Sequence, residues 1–144
     1  LGSYPARPLT RLRVPLHCTA SGKVLLAGMP EATVDQIVAE RGLPARTPHT
    51  ITDPTALRDC LHEVRRRGYA IDAEENELGG YCYAAPISDV ARHPVGAVSV
   101  SFPTAGAPAA ERALRAIEAV TQAGRRISES LGSGRVWESV HVAS

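Results

Sequence analysis

Hydrophobic and polar positions change period twice along the chain, from helical spacing to alternation and back. Leu12 and Val14 suggest a short strand before Pro15. Thr19 or Ser21 then caps a helix running through "GKVLLAGM" to the Met29-Pro30 break. "PEATVDQIVAERG" sets Val34, Ile37 and Val38 at helical spacing and closes on Gly42. After the proline-punctuated loop "TPHTITDP", the stretch "TALRDCLHEVRRRG" carries Leu57, Cys60, Leu61 and Val64 on one stripe, with Gly68 as its stop. Arg65, Arg66 and Arg67 fall in its last turn, where cations suit the helix dipole.

Beyond Gly68 the period becomes two. "YAID" predicts a short strand, "AEENELGG" an acidic loop, and "YCYAAPIS" and "HPVGAVSVSF" two strands joined by a hairpin over Asp89 to Pro94. The helical period returns from Pro108 to Leu131, with Ala113, Leu114, Ile117, Val120, Ile127 and Leu131 as its apolar face. Residues 132–144 form a C-terminal extension, either a flexible end or an added strand. Helices, then a hairpin, then a helix predict an α+β fold with an antiparallel sheet.

The length of 144 residues suits one domain with a single core. A net charge of +1 excludes the strongly basic balance of an autonomous nucleic-acid-binding domain. With 4% aromatic residues, stacking platforms for bases are not expected either. Cys18, Cys60 and Cys82 are an odd count without a CxxC pair, which predicts reduced thiols and a cytoplasmic location. No window approaches the roughly eighteen consecutive apolar residues of a membrane helix, and no signal peptide opens the sequence. No membrane partner is expected.

The densest chemistry lies in "PLHCTASGKVLLAG", residues 15–28. A phosphate loop fails there, because His17 and Val24 stand where glycine and Ser or Thr are needed. A metal site fails too: His17 and Cys18 are adjacent without a second pair, and "HEVRR" at His62 ends in Arg66 where a zincin needs histidine. No catalytic motif and no cofactor motif is present, so no catalytic, metal or cofactor residue is assigned. "TASG" before an apolar helix leaves two readings, a plain helix cap or a cradle in which the N–H groups near Ala20, Ser21 and Gly22 receive an anion.

The strands add to this. Alternation puts Gly80, Cys82 and Ala84 on one face of their strand, and Ser99 and Ser101 on one face of the next. Tyr81 and Tyr83, and Val98, Val100 and Phe102, take the opposite faces. A face of small, weakly polar groups would leave voids in a core. It suits a small polar ligand above it, or solvent.

Taken together these stretches resemble the effector-binding domain of the IclR family of bacterial transcription regulators. "PLHCTASGKVLLAG" is similar to that family's PLHATASGKALLA segment, "GGYCYAAPISD" to its GxxCxAAP pattern, and "HPVGAVSVSFPT" to its AALSVSGP strand. The resemblance covers about Leu12 to Leu131 and makes residues 1–131 the C-terminal portion of such a domain. It implies a GAF-like antiparallel sheet with flanking helices that cup a small-molecule pocket. The family's pocket positions fall on Val14, Ala20, Ser21, Asp72, Gly80, Cys82, Ser99 and Ser101. Ala73 replaces a frequent acidic residue, and Phe102 stands where glycine is common.

The expected function is effector sensing: a small organic acid binds, and DNA binding changes through a winged helix-turn-helix domain outside this sequence. The expected assembly is a homodimer or tetramer. Asp72 either meets the effector or bonds loop amides. Two other functions stay open, a cysteine-based enzyme or redox sensor using Cys82, and an oligomerisation module with a decayed pocket.

Overall fold

Thr19 starts the first helix, α1 (Ala20–Ala27), because its extended backbone lets its hydroxyl accept from Gly22 N–H at 3.2 Å. Ser21 is not the cap. The computed structural model describes residues 14–103 and 108–132, and the elements follow in the predicted order. Helix α2 (Glu31–Arg41) stops at Gly42, whose φ of 66° suits glycine. Helix α3 (Pro54–Arg67) is capped by Asp53, which accepts from Ala56 N–H at 2.8 Å, and ends at the left-handed Gly68. Of the strand expected at Leu12 and Val14, Leu12 lies outside the described residues, and Val14 belongs to no strand.

Strands β1 (Ala70–Ala73), β2 (Gly80–Ser88) and β3 (Pro94–Pro103) form an antiparallel sheet in sequence order. Together with the helices this is the predicted α+β class. Register places Asp72, Cys82 and Ser101 in one row across the sheet and Ala70, Ala84 and Ser99 in the next. The alternate rows, Ile71–Tyr83–Val100 and Ala73–Tyr81–Phe102, face the other way.

Helix α4 (Ala110–Gly132) packs on that second face, where Tyr83, Ala85, Ala116 and Val120 form a core cluster and Tyr83 stacks on Phe102 with centroids 5.9 Å apart. The expected apolar face of α4 is only partly right. Leu114, Ile127 and Leu131 are exposed, while Ala116, Val120 and Gly124 are buried. At Gly124 the helix lies so close to β2 that a Cβ would stand 2.6 Å from the Pro86 carbonyl oxygen.

The first face carries α1. Ala20, Val24, Leu26 and Ala27 join Leu57, Leu61, Val64, Ala70 and Ala84 in the larger core. Part of the small-residue face therefore serves packing: Ala70 and Ala84, both fully buried, let α1 approach the sheet. The rest of that face stays open. No helix among the described residues is long and apolar enough to cross a membrane.

Candidate functional site

Beside the N-terminus of α1, the uncovered half of the first sheet face floors a cavity of about 290 Å³. Val14, Ala20, Ser21, Asp72, Gly80, Cys82, Ser99 and Ser101 all line it, so the fold collects these sequence-predicted residues from four separate stretches. Val14, 52% exposed, stands at the rim, and Ser99 and Ser101 are exposed on the β3 side. The cavity is thus open to ligand entry there.

Gly22 requires a correction, for it does not line the cavity. Its N–H is taken by the Thr19 hydroxyl, and a Cβ there would sit 2.3 Å from the Leu16 carbonyl oxygen. It is glycine because the preceding turn crosses α1 at that point. The N–H groups available to an anion narrow to the first helical residues, Ala20 and Ser21.

Asp72 has a defined structural task. Its Oδ1 accepts from Glu75 N–H at 2.8 Å and Asn76 N–H at 3.3 Å, folding the acidic loop into a rim. That fold brings in Asn76 and Glu77, which border the cavity together with Thr19, Tyr81, Phe102 and Pro103. The sequence reading missed these six. Glu74 supports the turn with a left-handed φ of 58° and a carboxylate that accepts from Gly79 N–H at 2.7 Å. Burial raises the pKa of Asp72, while the two loop N–H groups and Lys23 pull it down.

Beneath the site lies a buried ion pair. Lys23 Nζ meets Glu75 Oε1 with side-chain exposures of 2% and 10%, and Glu75 Oε2 has no hydrogen-bond partner among the described residues. Thr50 and Thr47 hydroxyls donate to the Glu75 carbonyl at 2.6 and 3.3 Å, so the loop is held from both sides. Cys18, fully buried, points its thiol at Asn76 Oδ1 at 3.8 Å.

Burial also pushes the Cys82 thiol up, with Ser101 and then Ser99 opposing by hydrogen bonding. A nucleophilic cysteine needs the reverse shift. Among the described residues no group of three or more His, Cys, Asp or Glu side chains is placed to hold a metal ion.

A larger apolar groove of about 770 Å³ lies beyond the Pro15–Cys18 turn, between Leu16, Ile37, Val38 and Leu43. Its histidine is already occupied, His17 Nε2 donating to the Pro44 carbonyl at 3.1 Å. The smaller cavity has the convergent hydroxyls and helix N–H groups that orient a polar ligand, and it is the candidate site.

Comparison with known proteins assigns the class first. The family model described as "Bacterial transcriptional regulator IclR C-terminal" matches residues 11–129, which makes this a domain of a transcription regulator rather than of an enzyme. The chain belongs to the IclR family. It is 38% identical over 120 residues to the HTH-type transcriptional regulator XynR of Escherichia coli, covering 83% of this chain and 47% of that protein, so it spans about half of that relative's length. Its fold is similar to the C-terminal domain of the E. coli regulator KdgR, with a TM-score of 0.78, 38% identity, and coverage of 84% and 73% of the two chains. It is also similar to the inducer-binding domain of PobR from Acinetobacter, solved as a double mutant with 3-hydroxybenzoic acid. There the TM-score is 0.74, the identity 25%, and the coverage 80% and 66%.

Proposed function

We propose that this chain is the effector-sensing part of a bacterial transcription regulator and that its effector is a small organic acid. The observation carrying this reading is the convergence of Ala20, Ser21, Cys82, Ser99 and Ser101 on one open cavity. The carboxylate sits at the N-terminus of α1, where unpaired N–H groups and the helix dipole favour an anion. Ser99 and Ser101 donate hydroxyl hydrogen bonds, and Cys82 adds a weak thiol donor and a boundary of shape. Asp72 acts on the effector through the loop it holds. The PobR domain, solved with a hydroxylated aromatic acid, supports a ligand of this chemistry.

In the intact regulator, occupancy shifts a balance between two arrangements that differ in operator affinity. DNA is held by a winged helix-turn-helix domain outside this sequence, and the working assembly is a homodimer or tetramer.

Calorimetric titration with a panel of small hydroxy and aromatic carboxylates, 3-hydroxybenzoate among them, tests the reading. Ser99→Ala and Ser101→Ala are each expected to weaken the best ligand by about 1 kcal/mol, rising to about 3 kcal/mol where the bond is to the carboxylate. Unchanged affinity in both variants removes the effector from this cavity.

A further inference from the structure

On the opposite side of the sheet, a second cleft of about 560 Å³ lies between the C-terminal end of α3, β2, the β2–β3 turn and α4. Arg67, Arg92 and Arg125, from three different elements, line it, with Glu129 as its single acidic residue. We propose that this cleft is a second ligand site, for a dianionic phosphate group, either free phosphate or the monoester of a small metabolite.

What sets these arginines apart is that three line one cleft; lacking a partner does not, since among the described residues the side chains of Arg41 and Arg126 also make no hydrogen bond or ion pair. Arg58, Arg66 and Arg115 are engaged by carboxylates. Among the described residues, the side chains of Arg92 and Arg125 make neither a hydrogen bond nor an ion pair. Arg67 is held over the Tyr69 ring at 4.6 Å and donates from Nε to the Tyr69 carbonyl at 2.8 Å, which fixes its plane. Arg92 occupies a left-handed position, φ 64°, in the turn closed by its N–H on the Asp89 carbonyl at 3.0 Å. An arginine there is disfavoured relative to glycine or asparagine, and such outliers concentrate at functional sites.

The cleft is also a formed one. Ser128 Oγ accepts from Ser88 N–H at 2.8 Å and donates to the Gly124 carbonyl at 2.7 Å, pinning α4 to the end of β2. Its size falls within the range of small-molecule sites. Three guanidinium groups and one carboxylate leave a local charge of about +2, which a phosphate monoester of about −1.5 to −2 neutralises and a monocarboxylate does not. Bidentate arginine recognition favours the same oxyanion.

The proposal is independent of the effector reading, because the two cavities share no lining residue. Amide chemical shifts of the whole chain, titrated with inorganic phosphate, ribose 5-phosphate and ribose, test it. The expected result is a saturable response to a phosphate compound at Ser88, Arg92, Arg125 and Ser128, and none to ribose. Equal affinity for the two phosphates assigns free phosphate, and tighter ribose 5-phosphate binding assigns the ester. Arg92→Ala and Arg125→Ala should each weaken binding about tenfold, whereas Arg126→Ala, one residue along the same helix, should not. No saturable response, or a response untouched by both substitutions, overturns the proposal. Binding of duplex DNA that depends on the same arginines, with no binding of either phosphate, overturns it as well.

Discussion

Replacing Lys23 by methionine removes the cation from a pair that has almost no access to water. The side chains of Lys23 and Glu75 are 2% and 10% exposed. Burial raises the Glu75 pKa; Lys23 opposes that shift and the nearby Asp72 adds to it. In Lys23→Met the opposing charge is gone, and Glu75 is left with the nearby charge of Asp72 and with an oxygen that has no hydrogen-bond partner among the described residues. Methionine is close to lysine in length, so little cavity cost enters. Orphaning one member of a buried pair costs about 3–5 kcal/mol, a large share of the roughly 5–15 kcal/mol that holds a domain of this kind together.

The folded variant binds the Glu75 proton more tightly than the unfolded chain does. Its stability is therefore fullest below the ordinary carboxyl value of 4.5 and is lost as pH rises through the raised folded value. Urea unfolding followed by far-UV circular dichroism should show a loss of about 3–5 kcal/mol at pH 7 that shrinks toward acid pH. Lys23→Met combined with Glu75→Gln removes the orphaned charge and should recover most of the loss. A single variant within about 1 kcal/mol of the parent at pH 7, or a double variant no more stable than the single, refutes the reasoning.

Two further outcomes follow from close contacts. Gly124→Ala, usually favourable in a helix, should destabilise by about 1–3 kcal/mol in thermal unfolding, because the new Cβ meets the Pro86 carbonyl and α4 must lift; a variant as stable as the parent would sink this. Asp72→Ala strands the Glu75 and Asn76 N–H groups, so stability should fall by about 2 kcal/mol and those amides should exchange faster, with Asp72→Asn retaining most of both. Unaltered exchange in Asp72→Ala would show that the loop does not depend on it.

Much of the architecture was legible because it rests on local periodicity. Alternation along β2 and β3 sets Cys82 apart from Tyr81 and Tyr83, and Ser99 and Ser101 apart from Val100 and Phe102, and the register joins Cys82 and Ser101 in one row. Thr19, one of two candidate caps in the sequence, announces α1 by its side-chain chemistry, whereas the Asp53 cap of α3 is not read from the loop before it. What stayed hidden depends on partners far away in sequence. Nothing local signals that Lys23 pairs with Glu75, 52 residues on. For Asp72 the sequence leaves two readings open, and the structure shows the local one, its carboxylate accepting from the loop amides of Glu75 and Asn76. Gly22 resembled a cradle glycine, yet it is small because Leu16 crosses it. On α4 the apolar stripe runs on to Leu131, which is exposed, since periodicity reports a face and not how far its support extends.

The interleaving of rows across the sheet has a consequence for how such a domain changes its diet. On β2 and β3 the positions that line the candidate cavity, Cys82, Ser99 and Ser101, are separated by single residues from those packed on the α4 side, Tyr83, Val98 and Val100. Each set points away from the other, so the lining of the cavity can be rewritten at every second position while the scaffold behind it stays the same. A lineage, or an experimenter building a library at those positions, can search for a new ligand without first having to solve folding again.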